Sequence, residues 1–150
     1  MPQIEKDYIE TGKVKYIVLD FPLESMHPQA FKAAEATHCA QEQGAFWPMH
    51  ARLFAHQRAL GPEDLVRHAD ALKLEVSQFQ QCLESSKYAA AIRQDMTEGR
   101  KAGVTGTPAF FLGLTEPNGS KVTVVQALQG AQPYVQFQEA IESLLAAQKK

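Results

Sequence analysis

The stretch AGVTGTPAFFLG, residues 102–113, marks the point at which the chain changes character. A helical pattern of apolar residues reaches Gly103, and the apolar run from Pro108 is typical of a short strand. Gly106, Thr107 and Pro108 connect the two, and glycine permits a close approach of another backbone. The residues alone favour a plain trans turn that starts a strand, since only about 5–6% of X-Pro bonds are cis.

The segments on either side of this loop predict an α/β fold. Asn118-Gly119 is a strong hairpin signal, and it is followed by a return strand and an amphipathic helix with Phe137 and Ile141 on its inner face. Near the N-terminus, residues 3–11 are typical of a helix that ends at Gly12. The continuous apolar run Val14–Phe21 then predicts a strand that is covered on both faces.

Residues 28–103 are helical in pattern throughout. In the stretch AFWPMHARLF, Phe46, Met49, Leu53 and Phe54 recur at helical spacing, which predicts that they face the interior. Phe46 and Trp47 are most simply core residues, and His50 is interpreted as a packed or half-exposed helix residue rather than a general base.

Length and charge exclude several classes of protein. A chain of 150 residues is expected to form one domain, 1–150, and a net charge of −2 argues against a nucleic-acid partner. The polar N-terminus lacks a signal-peptide pattern, and no apolar run is long enough to span a bilayer, so we expect a cytoplasmic chain without a membrane partner if Met1 is the natural start. The five histidines show no metal-ligand spacing, so neither a metal nor another cofactor is expected.

The two cysteines, Cys39 and Cys82, fit neither a redox Cys-x-x-Cys nor a zinc knuckle. The residues favour two buried free thiols, given the missing export signal. The alternative is a structural disulfide, which would close a loop of about 44 residues and stabilise the fold by roughly 4 kcal/mol.

Four stretches together resemble the DsbA family of thiol-disulfide oxidoreductases. They are YIETGKVKYIVLDFPL with HPQA, AAEATHCAQEQGAFWPMHARLF, FQQCLESSKYAAAIRQDMTEGRKAGVTGTPAFFLG, and LQGAQPYVQFQEAIESLL. The resemblance implies a thioredoxin fold with a helical insertion. Residues 1–27 and 104–150 would then form the thioredoxin part, and residues 28–103 the insertion.

The chain departs from that family at the catalytic motif. The resemblance implies that the sequence starts inside the family's first helix, so the first strand and the Cys-x-x-Cys are missing and about three strands remain. Disulfide exchange needs a thiolate activated at a helix N-terminus and a second cysteine to resolve the mixed disulfide. We therefore assign no catalytic residue, expect the isolated chain to be inactive in redox chemistry, and leave open whether it is an enzyme.

The resemblance has further implications for the loop and the cysteines. It implies a cis Thr107–Pro108 bond in a loop, Gly106 to Pro108, that faces an extended peptide. Some family members carry a second, non-catalytic pair like Cys39 and Cys82, which makes a disulfide as well supported as free thiols. If the chain is part of a longer precursor, the family implies a periplasmic or exported protein.

Three functions remain open at this stage. The chain is a piece of a DsbA-like oxidoreductase, or a degenerate member that binds a peptide or protein partner, or an assembly module. The missing strand would leave two strands with unpaired backbone groups, and such edges seek partners. We therefore expect a homodimer formed by strand exchange or strand addition.

Overall fold

The computed structural model describes residues 2–116 and 121–148. Within them lie seven α-helices: α1 Pro2–Ile4, α2 Ala30–Gln41, α3 Phe46–Ala55, α4 Pro62–Ala71, α5 Val76–Ser85, α6 Ala89–Lys101 and α7 Tyr134–Gln148. A π-helical turn, Glu5–Ile9, continues α1. The two strands are β1, Ala109–Thr115, and β2, Val122–Gln129.

The helix predicted at the N-terminus is present and ends where glycine allows it to end. Gly12 has φ +72°, a conformation that favours glycine. The backbone N–H groups of Lys13 and Val14 both donate to the carbonyl oxygen of Tyr8 at 3.0 Å. These bonds satisfy a carbonyl at the end of the helical segment and turn the chain away from it.

The predicted hairpin strands pair in antiparallel fashion, with Ala109 opposite Gln129 and Thr115 opposite Val122. The register shifts between Leu112 and Gly113. A Cβ at Gly113 would lie 2.5 Å from the carbonyl oxygen of Thr123, so the bulge requires glycine. The Asn118-Gly119 turn signal lies outside the described residues.

The strand predicted at Val14–Phe21 does not form. Residues 14–21 have no regular secondary structure, and the sheet in the described part of the chain has the two strands β1 and β2 rather than about three. Ile17 and Leu19 are 55% and 68% exposed, so this apolar run is not covered on both faces as expected. A strand needs a neighbour to receive its backbone hydrogen bonds, and this segment pairs with neither strand.

The chain divides into two compact units, which are Met1–Val18 with Val104–Lys150, and Leu19–Gly103. The first unit contains the hairpin and α7. Its core joins the N-terminal helical segment to α7 through buried side chains that the sheet covers in part: Ile4, Tyr8, Phe137 and Ile141. The ring of Phe110 from β1 meets Phe137 edge-on, with centroids 4.8 Å apart.

The second unit contains α2 to α6, which fits the helical segment expected from the sequence. Its core is built from four helices, α2 to α5, around buried side chains: Ala36, Cys39, Ala40, Ala45, Met49, Leu53, Leu65, Ala69, Phe79, Cys82 and Leu83. Met49 and Leu53 lie on the inner side of α3 as predicted, whereas Phe54 is 64% exposed and Trp47 is 49% exposed. The expectation that these two aromatic residues belong to the core is therefore wrong.

The two cysteines form a disulfide, and the interpretation as free thiols is wrong. The packing of α2 against α5 places the two Cα atoms 5.8 Å apart, within the range that a disulfide spans. Both cysteines are buried, with Cys39 1% and Cys82 7% exposed. The bond therefore ties two helices together inside the core of the second unit.

Candidate functional site

The candidate loop, Gly106 to Pro108, connects the end of α6 to the start of β1. The Thr107–Pro108 peptide bond is cis. Val104 is 8% exposed and anchors the start of the connection, whereas Thr107 and Pro108 are exposed. At the other end, the Gly130 N–H donates to the carbonyl oxygen of Pro108 at 2.8 Å. The loop is thus held at both ends and presents its middle to solvent.

The pairing of β1 leaves one of its edges open. Because the Gly130 N–H bonds to Pro108, alternation along an antiparallel ladder directs the backbone groups of Phe110 and Leu112 towards β2. The backbone groups of Ala109 and Phe111 then point away from β2. Within the described residues β1 has β2 as its sole strand partner. The open edge continues directly from the cis-proline loop.

Gly103, ahead of the loop, and Gly106, its first residue, differ in whether the fold requires glycine. Gly103 has φ +85°, so its backbone conformation itself favours glycine. Gly106 does not have a positive φ, and among the described residues no atom other than those of its two chain neighbours lies within 4 Å of a Cβ built on it. The fold does not require glycine at position 106, and the free space beside it is open to another molecule.

Large apolar side chains are exposed on both strands of the hairpin. Four large apolar side chains are between 40% and 54% exposed there: Phe111, Val122, Val124 and Val125. Four exposed side chains of this size on one two-stranded hairpin make it a candidate interaction surface.

The disulfide does not belong to this site. Cys39 and Cys82 lie in the Leu19–Gly103 unit, whereas Gly106, Thr107 and Pro108 lie in the other unit. Exchange with a substrate requires that a thiolate reach a sulfur atom of the disulfide, and both sulfur-bearing residues are buried. The pair is a buried crosslink within the helical unit and leaves neither sulfur as a free thiol.

A thioredoxin family model matches residues 1–148. The chain belongs to the thioredoxin family. The mixed α/β architecture of this thioredoxin-family chain, with a hairpin packed on a C-terminal helix and a helical segment ahead of the loop, agrees with that assignment.

Several relatives carry the name of a membrane transporter. The Na(+)/H(+) antiporter NhaA 3 of Salinispora tropica is 40% identical over 111 residues, which are 74% of this chain and 17% of that protein. The NhaA 1 of Salinispora arenicola is 36% identical over 119 residues, 79% of this chain and 18% of that protein. The NhaA 1 of Mycobacterium sp. strain KMS is 38% identical over 99 residues. The chain spans less than a fifth of these relatives' length.

In the residues described here, each helix is too short or too polar to cross a bilayer. The same residues contain no group of three or more histidine, cysteine, aspartate or glutamate side chains placed to hold a metal ion.

The helical unit of the thioredoxin-family chain holds a polar pair that the sequence did not reveal. His38 Nε2 lies 2.6 Å from Asp20 Oδ2. The backbone N–H of Asp20 donates to Asp95 Oδ2 at 3.1 Å, which holds the segment of Asp20 against α6. No local motif links positions 20, 38 and 95, and Asp20 fell in a predicted strand, so the sequence carried no signal of this contact.

Aromatic rings surround this pair. The ring of His38 stacks on Tyr88 at 5.1 Å and meets Phe46 at 5.9 Å. The hydrogen bond to Asp20 raises the pKa of His38 above its usual value, against the opposing effect of burial. Burial lowers the pKa of His50, which stacks on Phe46. The neighbouring histidines therefore differ in charge over a range of pH near neutrality.

The His38–Asp20 pair predicts a pH dependence of stability. Because the folded pKa of His38 is raised, its contribution is fully present below the unfolded value of about 6.5 and is lost as pH rises through the folded pKa. We expect His38→Gln to reduce the free energy of unfolding more at pH 6 than at pH 8. Urea unfolding of both proteins across this range measures the difference.

His50→Gln is the matched control for that measurement. Its folded pKa is lowered, so its contribution changes with pH in the opposite direction. A His38→Gln effect that is constant with pH would show that the ion pair with Asp20 does not contribute.

Proposed function

We propose that this chain is a DsbA-like thioredoxin module that binds an extended peptide and does not itself exchange disulfides. The single observation that carries the proposal is the continuity of the exposed cis-proline loop with the open edge of β1. An extended peptide laid along this edge would bond to the backbone groups of Ala109 and Phe111, as in other cases of strand addition. The free space beside Gly106 would admit its chain.

We propose no disulfide exchange for this chain because of the state of its two cysteines. Cys39 and Cys82 are its two cysteines, and they are joined to each other in the helical core. A peptide at the loop would therefore be bound through its backbone and not captured as a mixed disulfide. The loop would keep the recognition role of an oxidoreductase without the transfer of electrons.

The names of the relatives suggest where the peptide comes from. They are called Na(+)/H(+) antiporters, and a segment like this chain makes up less than a fifth of each. We propose as a second candidate that the module docks a segment of such a transporter rather than a variety of secreted substrates. Two sets of extended peptides distinguish these candidates, one of cysteine-containing substrate type and one taken from the antiporter sequences.

The function is tested by peptide binding to the loop and the strand edge. We expect Gly106→Leu to weaken binding by about tenfold, because the new side chain fills the space that the peptide needs. Stability should change by less than about 0.5 kcal/mol, since no atom of the fold lies near the added Cβ. NMR chemical-shift titration gives the affinity, and urea unfolding gives the stability.

Ala102→Leu provides the matched control, because Ala102 is exposed and precedes the loop. A peptide that is N-methylated at alternate residues should lose binding if it adds to the sheet, since it can no longer donate to the edge. Equal binding by the methylated peptide would overturn strand addition. Catalytic oxidation of a dithiol peptide by the native chain, lost in a Cys39→Ala, Cys82→Ala variant, would overturn the non-redox assignment.

Without a peptide, we propose that the same edge pairs with a second copy of the chain. The exposed group of Phe111, Val122, Val124 and Val125 would be covered in such a homodimer. Light scattering during the same titration should show a dimer mass that falls towards the monomer mass as peptide is added. A monomer mass at all concentrations would leave peptide binding intact and exclude the dimer.

A further inference from the structure

The helix α3 is apolar on two opposite sides. Met49 and Leu53 are buried on its inner side, in the core of the helical unit. The opposite side, which we call the outer face of α3, consists of exposed residues: Trp47, Pro48, Ala51, Phe54 and Ala55. Surface helices normally carry polar side chains on the side that faces water, and a helix that is apolar all round usually has a second apolar neighbour.

The two aromatic side chains on this face, Trp47 and Phe54, both contact the ring of His50. Trp47 is 49% exposed, and its ring meets Phe46 and His50 with centroids 5.1 and 5.7 Å away. Phe54 is 64% exposed and meets the same histidine ring at 4.7 Å. The central His50 ring therefore holds Trp47 and Phe54 side by side. The aromatic part of the face is organised before anything binds to it.

The stretch that carries the outer face has basic but no acidic side chains of its own, and Asp20 is an acid that acts on its His50. Residues 43–62 contain no aspartate or glutamate, although the whole chain has a net charge of −2. The same stretch contains two arginines, Arg52 and Arg58. Arg52 is held against the unit, because its Nε donates to His68 Nδ1 at 3.0 Å. Arg58 is exposed just beyond the end of α3, beside Phe54.

We propose that the outer face of α3 binds the surface of a bilayer that contains anionic phospholipid. Tryptophan and phenylalanine favour the boundary between headgroups and acyl chains, and nearby arginines are attracted to anionic headgroups. Trp47 and Phe54 would enter this boundary, and Arg58 would meet the phosphates. The helix would lie on the bilayer and not cross it. This inference revises the expectation that the chain has no membrane partner.

Charge favours an anionic lipid surface over a second copy of the chain. A second copy would present the same basic margin and, in the stretch of residues 43–62, no acidic side chain to pair with it, so it offers no complementary charge there. An anionic bilayer presents the opposite charge over a wide area. The apolar centre of the outer face thus matches the acyl-chain boundary, and its cationic margin matches the anionic headgroups.

The sequence supplies its own probe for this test, because Trp47 is the only tryptophan. The full chain is mixed with vesicles of phosphatidylcholine alone or of phosphatidylcholine with phosphatidylglycerol. We expect the emission of Trp47 to shift to shorter wavelength only with the anionic vesicles, and brominated lipid to quench it. Vesicle sedimentation gives the partition coefficient.

Phe54→Ser retains the tryptophan and should lower the partition coefficient about tenfold, since one buried aromatic side chain is lost. Arg58→Gln should lower it about fivefold and reduce its dependence on salt. Val135→Ser, at an exposed apolar side chain of α7 in the other unit, is the matched control and should have no effect. Circular dichroism verifies that each variant is folded.

Three results would overturn the proposal. One is an unchanged Trp47 emission at all concentrations of anionic lipid. Another is an equal loss of partitioning in Phe54→Ser and Val135→Ser. The third is a blue shift that depends on protein concentration without lipid, which would assign the outer face to a second copy. Peptide binding at the cis-proline loop is measured separately, so either proposal can fail without the other.

Discussion

Loss of the disulfide, through the double variant Cys39→Ala, Cys82→Ala, is expected to lower the free energy of unfolding by about 4 kcal/mol. The bond joins residues 43 positions apart, so it removes a large loop-closure entropy from the unfolded chain. Domains of this size are commonly stable by only about 5–15 kcal/mol, so this loss is a large share of the total. Urea unfolding of the two proteins under the same conditions measures it.

The reduced native chain is the matched control for the double variant. Its sequence is unchanged, so a similar loss after reduction would assign the effect to the crosslink and not to the cavity left by alanine. Because both cysteines are buried, the folded protein should react slowly with a reductant and faster in urea. A loss below about 1 kcal/mol in both cases would contradict the entropic account, and would mean that the reduced unfolded chain already keeps α2 and α5 together.

The elements that depend on local patterns were predictable from the sequence. Gly12 and Gly103 ended helices, as their positive φ values require. The run after Pro108 and the run from Val122 formed the antiparallel pair that the turn signal between them indicated. In each case the element is determined by a few adjacent residues, either through a backbone conformation that glycine allows or through the periodic spacing of apolar side chains.

The elements that depend on distant partners could not be predicted in this way. Val14–Phe21 has the composition of a strand, but a strand exists only where a neighbour accepts its hydrogen bonds. Cys39 and Cys82 paired because α2 packs against α5, and no spacing in the sequence specifies that contact. The hydrogen bond between Asp20 and His38 could not be predicted either, because it also depends on a contact that no sequence spacing specifies.

The error over α3 has a different physical origin. Helical spacing correctly placed Met49 and Leu53 in the core. It could not show that Trp47 and Phe54 face away, because a period analysis finds an apolar face only by contrast with a polar one. This error points to a property of α3. The helix is apolar on two sides, and the core of the helical unit buries only one of them.

The candidate loop was located by sequence, but its surroundings were not. Gly106, Thr107 and Pro108 are where the pattern placed them, between α6 and β1. The open edge of β1 and the free space beside Gly106 became visible only in three dimensions. Together, the open strand edge and the free space give the loop a surface that can hold an extended chain.

Lys32→Met is expected to lower the free energy of unfolding by about 3 kcal/mol, because it leaves the Glu35 carboxylate buried without a counter-charge. Glu35 is 1% exposed, and its Oε2 lies 2.7 Å from Lys32 Nζ. Among the described residues its Oε1 has no hydrogen-bond partner, so the ion pair is the carboxylate's main compensation. Urea unfolding at neutral pH measures the loss.

Lys32 also connects two helices, which adds to the expected effect. Its Nζ donates to the carbonyl oxygen of Leu83 and to Ser86 Oγ, both at 2.9 Å. Ser86 ends α5 with φ +51°, and the last carbonyls of a helix have no donors within the helix itself. One ammonium group from α2 therefore caps α5 and neutralises a buried carboxylate at the same time.

The double variant Lys32→Met, Glu35→Met separates these two roles. Glu35 is buried whereas the Lys32 side chain is 43% exposed, so the Glu35→Met change removes the buried charge that Lys32→Met leaves uncompensated. The double variant should therefore be more stable than Lys32→Met alone. The part of the loss that it recovers belongs to the uncompensated charge of Glu35, and the part that remains belongs to the capping of α5. If the double variant is less stable than Lys32→Met, then Glu35 is satisfied without Lys32, and the pair does not carry the stability assigned to it.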